Sequence, residues 1–169
     1  MPTTVKIKID DLPLLRAELD ALYAQKTQIQ LAQWALKLAE HTLAAVGYDT
    51  KAEPVLETGF AVNRQWQKGA ARMFDVRQAG FRVHRLAKAC ADPATQAALR
   101  AAGQAVGTGH MREHAMVAAD YAIKAINLKY PGDRAAIKAE REWQITTLHA
   151  MAGGPAPGGS QPCPKQTVK

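Results

Sequence analysis

The stretch that decides the fold is Ala101–Ala125, AAGQAVGTGHMREHAMVAADYAIKA, which is rich in alanine and glycine and contains no proline. A segment that is apolar on nearly all sides is typical of a helix buried by its neighbours, and small residues let those neighbours approach closely. We therefore predict an all-α fold, a single-domain multi-helix bundle with one long, mostly buried central helix over Ala94–Lys129. Within this helix, Gly103, Gly107 and Gly109 indicate a kink or a close helix crossing.

Helices are also predicted on both sides of this segment, from apolar spacing and from the residues that begin and end helices. Their predicted positions are Pro13–Ala24 with Asp11 as its cap, Thr27–Val46 before Gly47, Val55–Ala91 with a bend or break at Gly69 or Gly80, and a last helix from Asp133 to about Ala150. Before the first helix, Val5–Ile9 alternates without an obvious pairing partner, and we interpret it as an extended lead-in.

Composition indicates one domain followed by a tail. With 169 residues, 47% of them hydrophobic, the chain is long enough to bury a substantial core. We expect residues 1–152 to form this domain and residues 153–169 to be disordered, because that segment opens with glycine and proline at nearly every position. Charges interrupt every apolar stretch and the N-terminus has no apolar signal segment, so we predict a cytoplasmic protein without membrane contact.

The net charge of +7 is concentrated in one part of the chain. Residues 58–92 carry seven lysines and arginines against two aspartates, whereas residues 1–57 carry six basic and eight acidic residues. An excess of one sign predicts an acidic partner surface or nucleic acid, and the competing interpretation is a solvated basic face. The candidate partner-binding residues in this segment are Arg64, Lys68, Arg72, Arg82 and Arg85.

The histidines His110 and His114 are four residues apart, so in the predicted helix they lie on the same side. With Glu113 they match the H-x-x-E-H pattern of inverted zinc peptidases, in which two histidines bind zinc and the glutamate activates water. Such a site needs a third ligand, for which the candidates are Glu140, Glu142 and His149. Because the pattern is short and the chain has no room for a peptidase chamber, we favour hydrogen-bonded core histidines, with no metal, cofactor or catalytic residue.

Other polar residues of the helices have local interpretations. Asp120 and Lys124 have the i,i+4 spacing of an ion pair on a helix surface. Arg100 has an alanine-rich setting that suits a buried stem and a pair with an acid from another helix. His41 and His84 have no partner at ligand spacing, and we interpret them as structural histidines.

A set of signature positions carries a resemblance to a known family: Arg100, Thr108, His110, His114, Tyr121 and Lys124. With the surrounding residues 98–115 and 121–125, they resemble the immunity proteins of bacterial polymorphic-toxin systems, in particular the immunity-protein-five-like group. Weaker agreement extends the similarity to residues 25–130 and includes residues 31–35, Trp66, Gly69, Arg77 and His84. Gly107 and Gly109 depart from the family pattern, which has alanine or a larger residue there.

The resemblance implies a small helical protein that binds a cognate protein toxin and blocks it, with no catalysis of its own. The basic segment 58–92 would then face an acidic surface of the toxin, since complementary potentials speed encounter and exclude wrong partners. Inhibitors of nucleases tend to be acidic, so the charge of +7 argues against that subclass. The alternatives are a metal-dependent hydrolase that uses His110, Glu113 and His114, and, less favoured still, a basic nucleic-acid-binding protein.

Overall fold

Seven α-helices make up most of residues 1–151, the part of the chain that the computed structural model describes. They are α1 (Pro13–Ala24), α2 (Gln28–Ala45), α3 (Pro54–Gln67), α4 (Met73–Ala89), α5 (Pro93–Gly107), α6 (His114–Lys129) and α7 (Arg134–His149), with a 3₁₀ turn over Thr50–Ala52. No β-strand occurs in residues 1–151, and the all-α prediction is confirmed. Within the same range, no helix has the length and apolar character that a membrane span requires. The predicted tail, 153–169, lies outside the described residues.

The ends of several helices lie where local signals predict them. Thr27 caps α2 in a capping box, in which its hydroxyl accepts from the Gln30 N–H at 3.2 Å and the Gln30 side chain accepts from the Thr27 N–H at 2.9 Å. Asp133 accepts a backbone hydrogen bond in the first turn of α7. Asp11, however, does not cap α1. Leu12 occupies the cap position, and the Asp11 carboxylate forms an ion pair with α7 instead.

The central segment differs from the prediction, because two helices stand where one long helix over Ala94–Lys129 is expected. Helix α5 ends at Gly107, a turn over residues 108–113 follows, and α6 begins at His114. Glycine is a poor helix former, about 1 kcal/mol less favourable than alanine. Dividing the segment also lets α5 and α6 pack against each other, while α5 contacts α2 and α4 as well. The segment is buried as predicted, but as a pair of helices.

The predicted helix over Val55–Ala91 is also divided, and of the two glycines considered, Gly69 marks the break. Its φ of 75° lies in the left-handed region that favours glycine, and it follows Lys68, the C-cap residue of α3. Gly80 instead stays inside α4. A Cβ atom at Gly80 would lie 3.2 Å from the carbonyl oxygen of Gly103, so α4 and α5 cross with their backbones close together.

The main apolar core lies where α2 to α6 meet. Its largest side chain is Trp34 of α2, which is fully buried and donates its indole N–H to the carbonyl of Gln144 at 3.2 Å. Alanine supplies most of the core-facing positions of α5 and α6, which allows these helices to lie close together. A second small cluster joins α6 to α7 through Ile123, Ile126 and Ile137.

A buried ionic network joins α1, α6 and α7. Asp120 of α6 is 1% exposed and accepts from Arg16 Nε and from Arg141 Nη2, both at 2.9 Å. Arg141, which is fully buried, also makes two hydrogen bonds with the Asp11 carboxylate, at 3.0 and 2.7 Å. The predicted surface pair of Asp120 with Lys124 is therefore wrong. The Asp120 carboxylate points into the protein, and the Lys124 ammonium binds a carbonyl of the lead-in.

Candidate functional site

Residues from α4, α5, α6 and the 108–113 turn enclose a cleft of about 430 Å³. We call it the histidine cleft, and its polar lining residues are Arg77, His84, Arg100, Gln104, His110, His114 and Tyr121. Four of the six signature positions are among them, together with the two weaker positions on α4. The structure thus brings together residues that are far apart in the sequence.

The other two signature positions lie outside the cleft. Thr108 is fully buried at the end of α5, where its hydroxyl donates to the carbonyl of Gln104 at 3.4 Å. Its own carbonyl accepts from the side-chain amide of Gln28 at 2.8 Å, which ties the turn to α2. Lys124 lines an adjoining groove beside Arg100. Thr108 therefore supports the turn, and Lys124 extends the basic lining.

The paired histidines do not have the predicted helical arrangement. His110 lies in the turn and His114 is the first residue of α6, so they do not share one helix face. Their rings are still close, with centroids 5.9 Å apart. Within residues 1–151 there is no group of three histidine, cysteine, aspartate or glutamate side chains that could hold a metal ion. The geometry that the alternative of a zinc peptidase requires is therefore not present in this part of the chain.

The three candidates for a third metal ligand all lie on α7, where each has another partner or is exposed to solvent. Glu140 is buried, with its carboxylate 2.8 Å from His41 Nε2 and 2.9 Å from the Gln144 amide that donates to it. Glu142 pairs with Lys138 on the surface, and His149 is an exposed residue at the end of the helix.

Glycines on α5 and in the turn give the aromatic side chains room. A Cβ atom at Gly103 would lie 2.6 Å from the His84 ring, and one at Gly107 would lie 3.2 Å from the His114 ring. At Gly109 a Cβ atom would lie 2.8 Å from the Trp66 ring. These distances give a physical reason for glycine at positions 107 and 109. Larger residues would displace the rings that pack there.

The turn that carries His110 is fastened to the rest of the fold. The guanidinium of Arg112 donates to the carbonyls of Tyr23 and Lys26 at 3.0 and 3.1 Å, and it lies 4.6 Å from the Tyr23 ring centroid. The backbone N–H of His110 donates to the carbonyl of Gly107 at 2.9 Å. The turn therefore holds the histidine backbone in place.

The cleft is basic, and among residues 1–151 no aspartate or glutamate lines it. Two grooves adjoin it and share Arg100 with it, one lined also by Arg85 and Lys88 and the other by Lys8 and Lys124. The described part of the chain places no acidic residue in the lining of either groove. The predicted pair of Arg100 with an acid of another helix is not found within residues 1–151, and Arg100 lines all three of these cavities instead.

Burial lowers the pKa of His84 below the ordinary histidine value, and the nearby Arg100 and His114 lower it further. Burial also lowers the pKa of His114, with His110 and Lys6 adding to the effect and Glu113 opposing it. Both imidazoles therefore resist protonation in the folded protein more than in the unfolded chain.

This resistance predicts a loss of stability in acid. We expect the midpoint of thermal unfolding to fall when the pH is lowered from about 7.5 to about 5.5, because His84 and His114 bind more protons in the unfolded chain. Replacing both histidines with glutamine should make the decline shallower. Calorimetry at the two pH values measures both effects, and an equally steep decline in the double variant would contradict the assignment.

The candidate partner-binding residues of the basic segment are all exposed but differ in their contacts. Arg64 pairs with Glu40 at 2.8 Å and Arg72 pairs with Asp75 at 2.9 Å. The other three have no ion pair within residues 1–151: Lys68, Arg82 and Arg85. Of these, Arg85 borders a groove next to the histidine cleft, whereas Arg82 lines a separate small pocket between α3 and α4.

Sequence reasoning missed the importance of α4 for this site. From the sequence, His84 of α4 has a structural role beside its weaker agreement with the family, and neither Phe81 of α4 nor Gln104 of α5 is singled out, yet all three line the cleft. A signal was present, since Arg77, Phe81, His84 and Lys88 follow the i, i+4, i+7, i+11 spacing of one helix face. A basic and aromatic stripe of this kind indicates a surface that a partner contacts.

Comparison with known proteins agrees with the resemblance seen in the sequence. One protein family matches residues 21–151, which covers the chain from the end of α1 through α7. Neither a curated protein nor a solved structure matches the chain. Because the family match covers well over half of the 169 residues, the chain belongs to the family described as Imm-5 like putative immunity protein.

Proposed function

We propose that the protein is a cytoplasmic immunity protein that binds a cognate protein toxin through the histidine cleft and neutralises it without catalysis. Membership in the family supports a toxin partner in general terms. The observation that carries the proposal is the convergence of the resembling positions, since Arg77, His84, Arg100, His110 and His114 come from three helices and a turn to one cleft. Partner recognition gives a reason for such a grouping on the surface.

The composition of the cleft supports binding over hydrolysis. Hydrolysis of the H-x-x-E-H type needs a glutamate that activates water beside the two histidines. Glu113, the residue at that position, is exposed and does not line the cleft. The cleft lining offers cations, imidazoles and an amide, which recognise a charged partner but do not by themselves form a hydrolytic centre.

The rim of the cleft adds apolar contact area. Phe81 and Met111 are 44% and 45% exposed, respectively, and both line the cleft. Interfaces often centre on aromatic and methionine side chains with charged groups around them. We therefore expect the toxin to place an acidic group into the cleft and apolar side chains against these two residues.

The test begins with the product of the reading frame next to this gene, which we expect to be the toxin. We expect purified protein to bind that toxin and to protect cells that express it. Arg85→Glu should slow association about tenfold, because reversing a charge beside the interface opposes electrostatic steering. Arg82→Glu makes the same charge change on the same helix but away from the cleft, so its association rate should change less. Kinetic binding measurements at low salt compare the two variants.

Two outcomes would contradict the proposal. One is a protein that neither binds the toxin nor protects the cells. The other is an equal effect of Arg85→Glu and Arg82→Glu, because long-range attraction by the net charge would then explain the binding without any role for the cleft.

A further inference from the structure

Three polar atoms of the histidine cleft have no hydrogen-bond partner within residues 1–151, although solvent does not reach them. They are His84 Nδ1, His110 Nδ1 and Gln104 Oε1. Buried polar atoms in native proteins are nearly always hydrogen-bonded, and an unpaired one is costly. All three atoms belong to side chains that line the cleft, so a turn of each ring or amide would present a nitrogen to a polar ligand there and complete its hydrogen bonding.

The charge of the cleft indicates the sign of that ligand. Elsewhere this fold pairs its buried arginines with carboxylates, as Arg16 and Arg141 are paired with Asp120. Arg77, which is exposed, and Arg100, which is partly buried, line the cleft, and none of its described lining residues is an aspartate or glutamate. Because residues 1–151 supply no counter-charge there, an anion from outside can pair with these arginines.

We propose that the histidine cleft is a binding site for an oxyanion, the phosphate or carboxylate group of a ligand, held by Arg100 with His84 and His110 as hydrogen-bond donors. Guanidinium groups match the geometry of both kinds of oxyanion. The amide of Gln104 can turn its NH₂ group toward the same anion. This proposal concerns the protein alone and does not depend on toxin binding.

The size of the cleft suits a ligand larger than a bare ion. Its volume of about 430 Å³ falls within the range of small-molecule sites. Phe81, Met111 and Tyr121 line it as well and provide a surface for an uncharged part of the ligand. An acidic side chain that enters from a protein partner would meet the same groups.

Anion binding at this place should take up protons. Several charged or titratable groups affect the protonation of His84 and His114. They are Arg100 from α5, His110 and Glu113 from the turn, and Lys6 from the segment before α1. Arg77 and Tyr121 line the same cleft. All except Glu113 and Tyr121 carry or gain positive charge and oppose protonation. A bound anion offsets this repulsion and raises the pKa of both histidines, so affinity must rise as the pH falls.

Calorimetric titration of the whole protein with sulfate and, separately, with acetate tests the proposal. Sulfate stands for a tetrahedral oxyanion and keeps its charge across the range, so its pH dependence reports on protein groups. We expect binding that is tighter at about pH 6 than at about pH 8. Arg100→Gln should weaken it at least about tenfold, since a charge-assisted hydrogen bond is lost. Arg134→Gln removes a surface arginine that lines none of these cavities and serves as the matched control.

The titration distinguishes the kind of oxyanion that binds, and it shows whether the cleft binds an oxyanion at all. Tighter binding of acetate, although it carries half the charge of sulfate, indicates a carboxylate such as an acidic side chain, and tighter binding of sulfate indicates a doubly charged phosphate group. Either supports the site if Arg100→Gln weakens binding and Arg134→Gln does not, with circular dichroism showing that both variants are folded. Absence of binding for both anions, or equal affinities in the two variants, would overturn it. A failure of toxin binding would leave these results unaffected, so the two proposals can fail separately.

Discussion

Replacing Asp120 with asparagine is expected to destabilise the fold by about 3–5 kcal/mol, the usual effect of removing one partner from a buried ion pair. The Asp120 carboxylate is 1% exposed and receives hydrogen bonds from both Arg16 and Arg141. Asparagine keeps the shape but loses the charge, and its NH₂ group then faces guanidinium groups that have only donors. The nearest other carboxylate for Arg16 is Asp20, at 3.5 Å. A buried cation is therefore left poorly compensated.

Urea-induced unfolding of wild-type protein and variant measures the change in the free energy of unfolding. The matched control is Glu142→Gln, which also removes one negative charge, from a pair with Lys138 whose side chains are 61% and 54% exposed. A surface pair of this kind contributes no more than about 0.5 kcal/mol. If Asp120→Asn costs as little as the control, the network does not hold α1, α6 and α7 together.

The network also illustrates what sequence analysis could not predict. The Arg16 and Asp120 positions are 104 residues apart, and the expected partner of Asp120 was the neighbouring Lys124. Local spacing predicts pairs within a helix, but it contains no information on which helices meet. By contrast, the first residues of α2 and α7 follow from the N-caps Thr27 and Asp133, whose effects are confined to one helical turn.

The division between α5 and α6 was missed for a different reason. Residues 101–125 contain no proline, and their apolar character suits a helix throughout. Three glycines over 103–109 predict a kink or a close helix crossing. Gly103 does lie at a close crossing of α5 with α4, but the glycines also permit the complete turn that separates α5 from α6. Whether the segment stays one helix or divides depends on which surfaces α5 and α6 bury as separate helices, and this is a property of the tertiary structure. Propensity alone could not decide it.

The candidate site was predicted in part. Arg100, His110, His114 and Tyr121 were singled out in the sequence, and the structure places all four in one cleft. The predicted arrangement of the histidines on one helix face is wrong, because His110 belongs to the turn. The contribution of α4 depends on its crossing over α5, which brings side chains from distant positions to the histidines. The residue pattern of the central segment does not predict that α4 contacts α5 there.

The close crossing of α4 and α5 should make the substitution Gly80→Val strongly destabilising. We expect this variant to be about 2–3 kcal/mol less stable than Gly80→Ala, because overfilling a closely packed contact forces the helices apart. A Cβ atom at position 80 would lie 3.2 Å from the Gly103 carbonyl oxygen and 3.6 Å from the Gly107 backbone nitrogen. Both neighbours are backbone atoms, which cannot turn aside as a flexible side chain can.

Gly80→Ala is the matched control, since the two variants differ only in the methyl groups beyond Cβ. Alanine gains about 1 kcal/mol of helix propensity over glycine, which offsets the tight contact with the carbonyl and keeps its stability near that of the wild type. Valine has lower helix propensity than alanine, and its methyl groups extend further toward α5. Urea-induced unfolding compares the two variants. Because Gly80, Gly103 and Gly107 line the histidine cleft, valine should also weaken sulfate binding. Equal stability and equal sulfate affinity in both variants would mean that α4 and α5 have space between them, and that the cleft does not depend on their close approach.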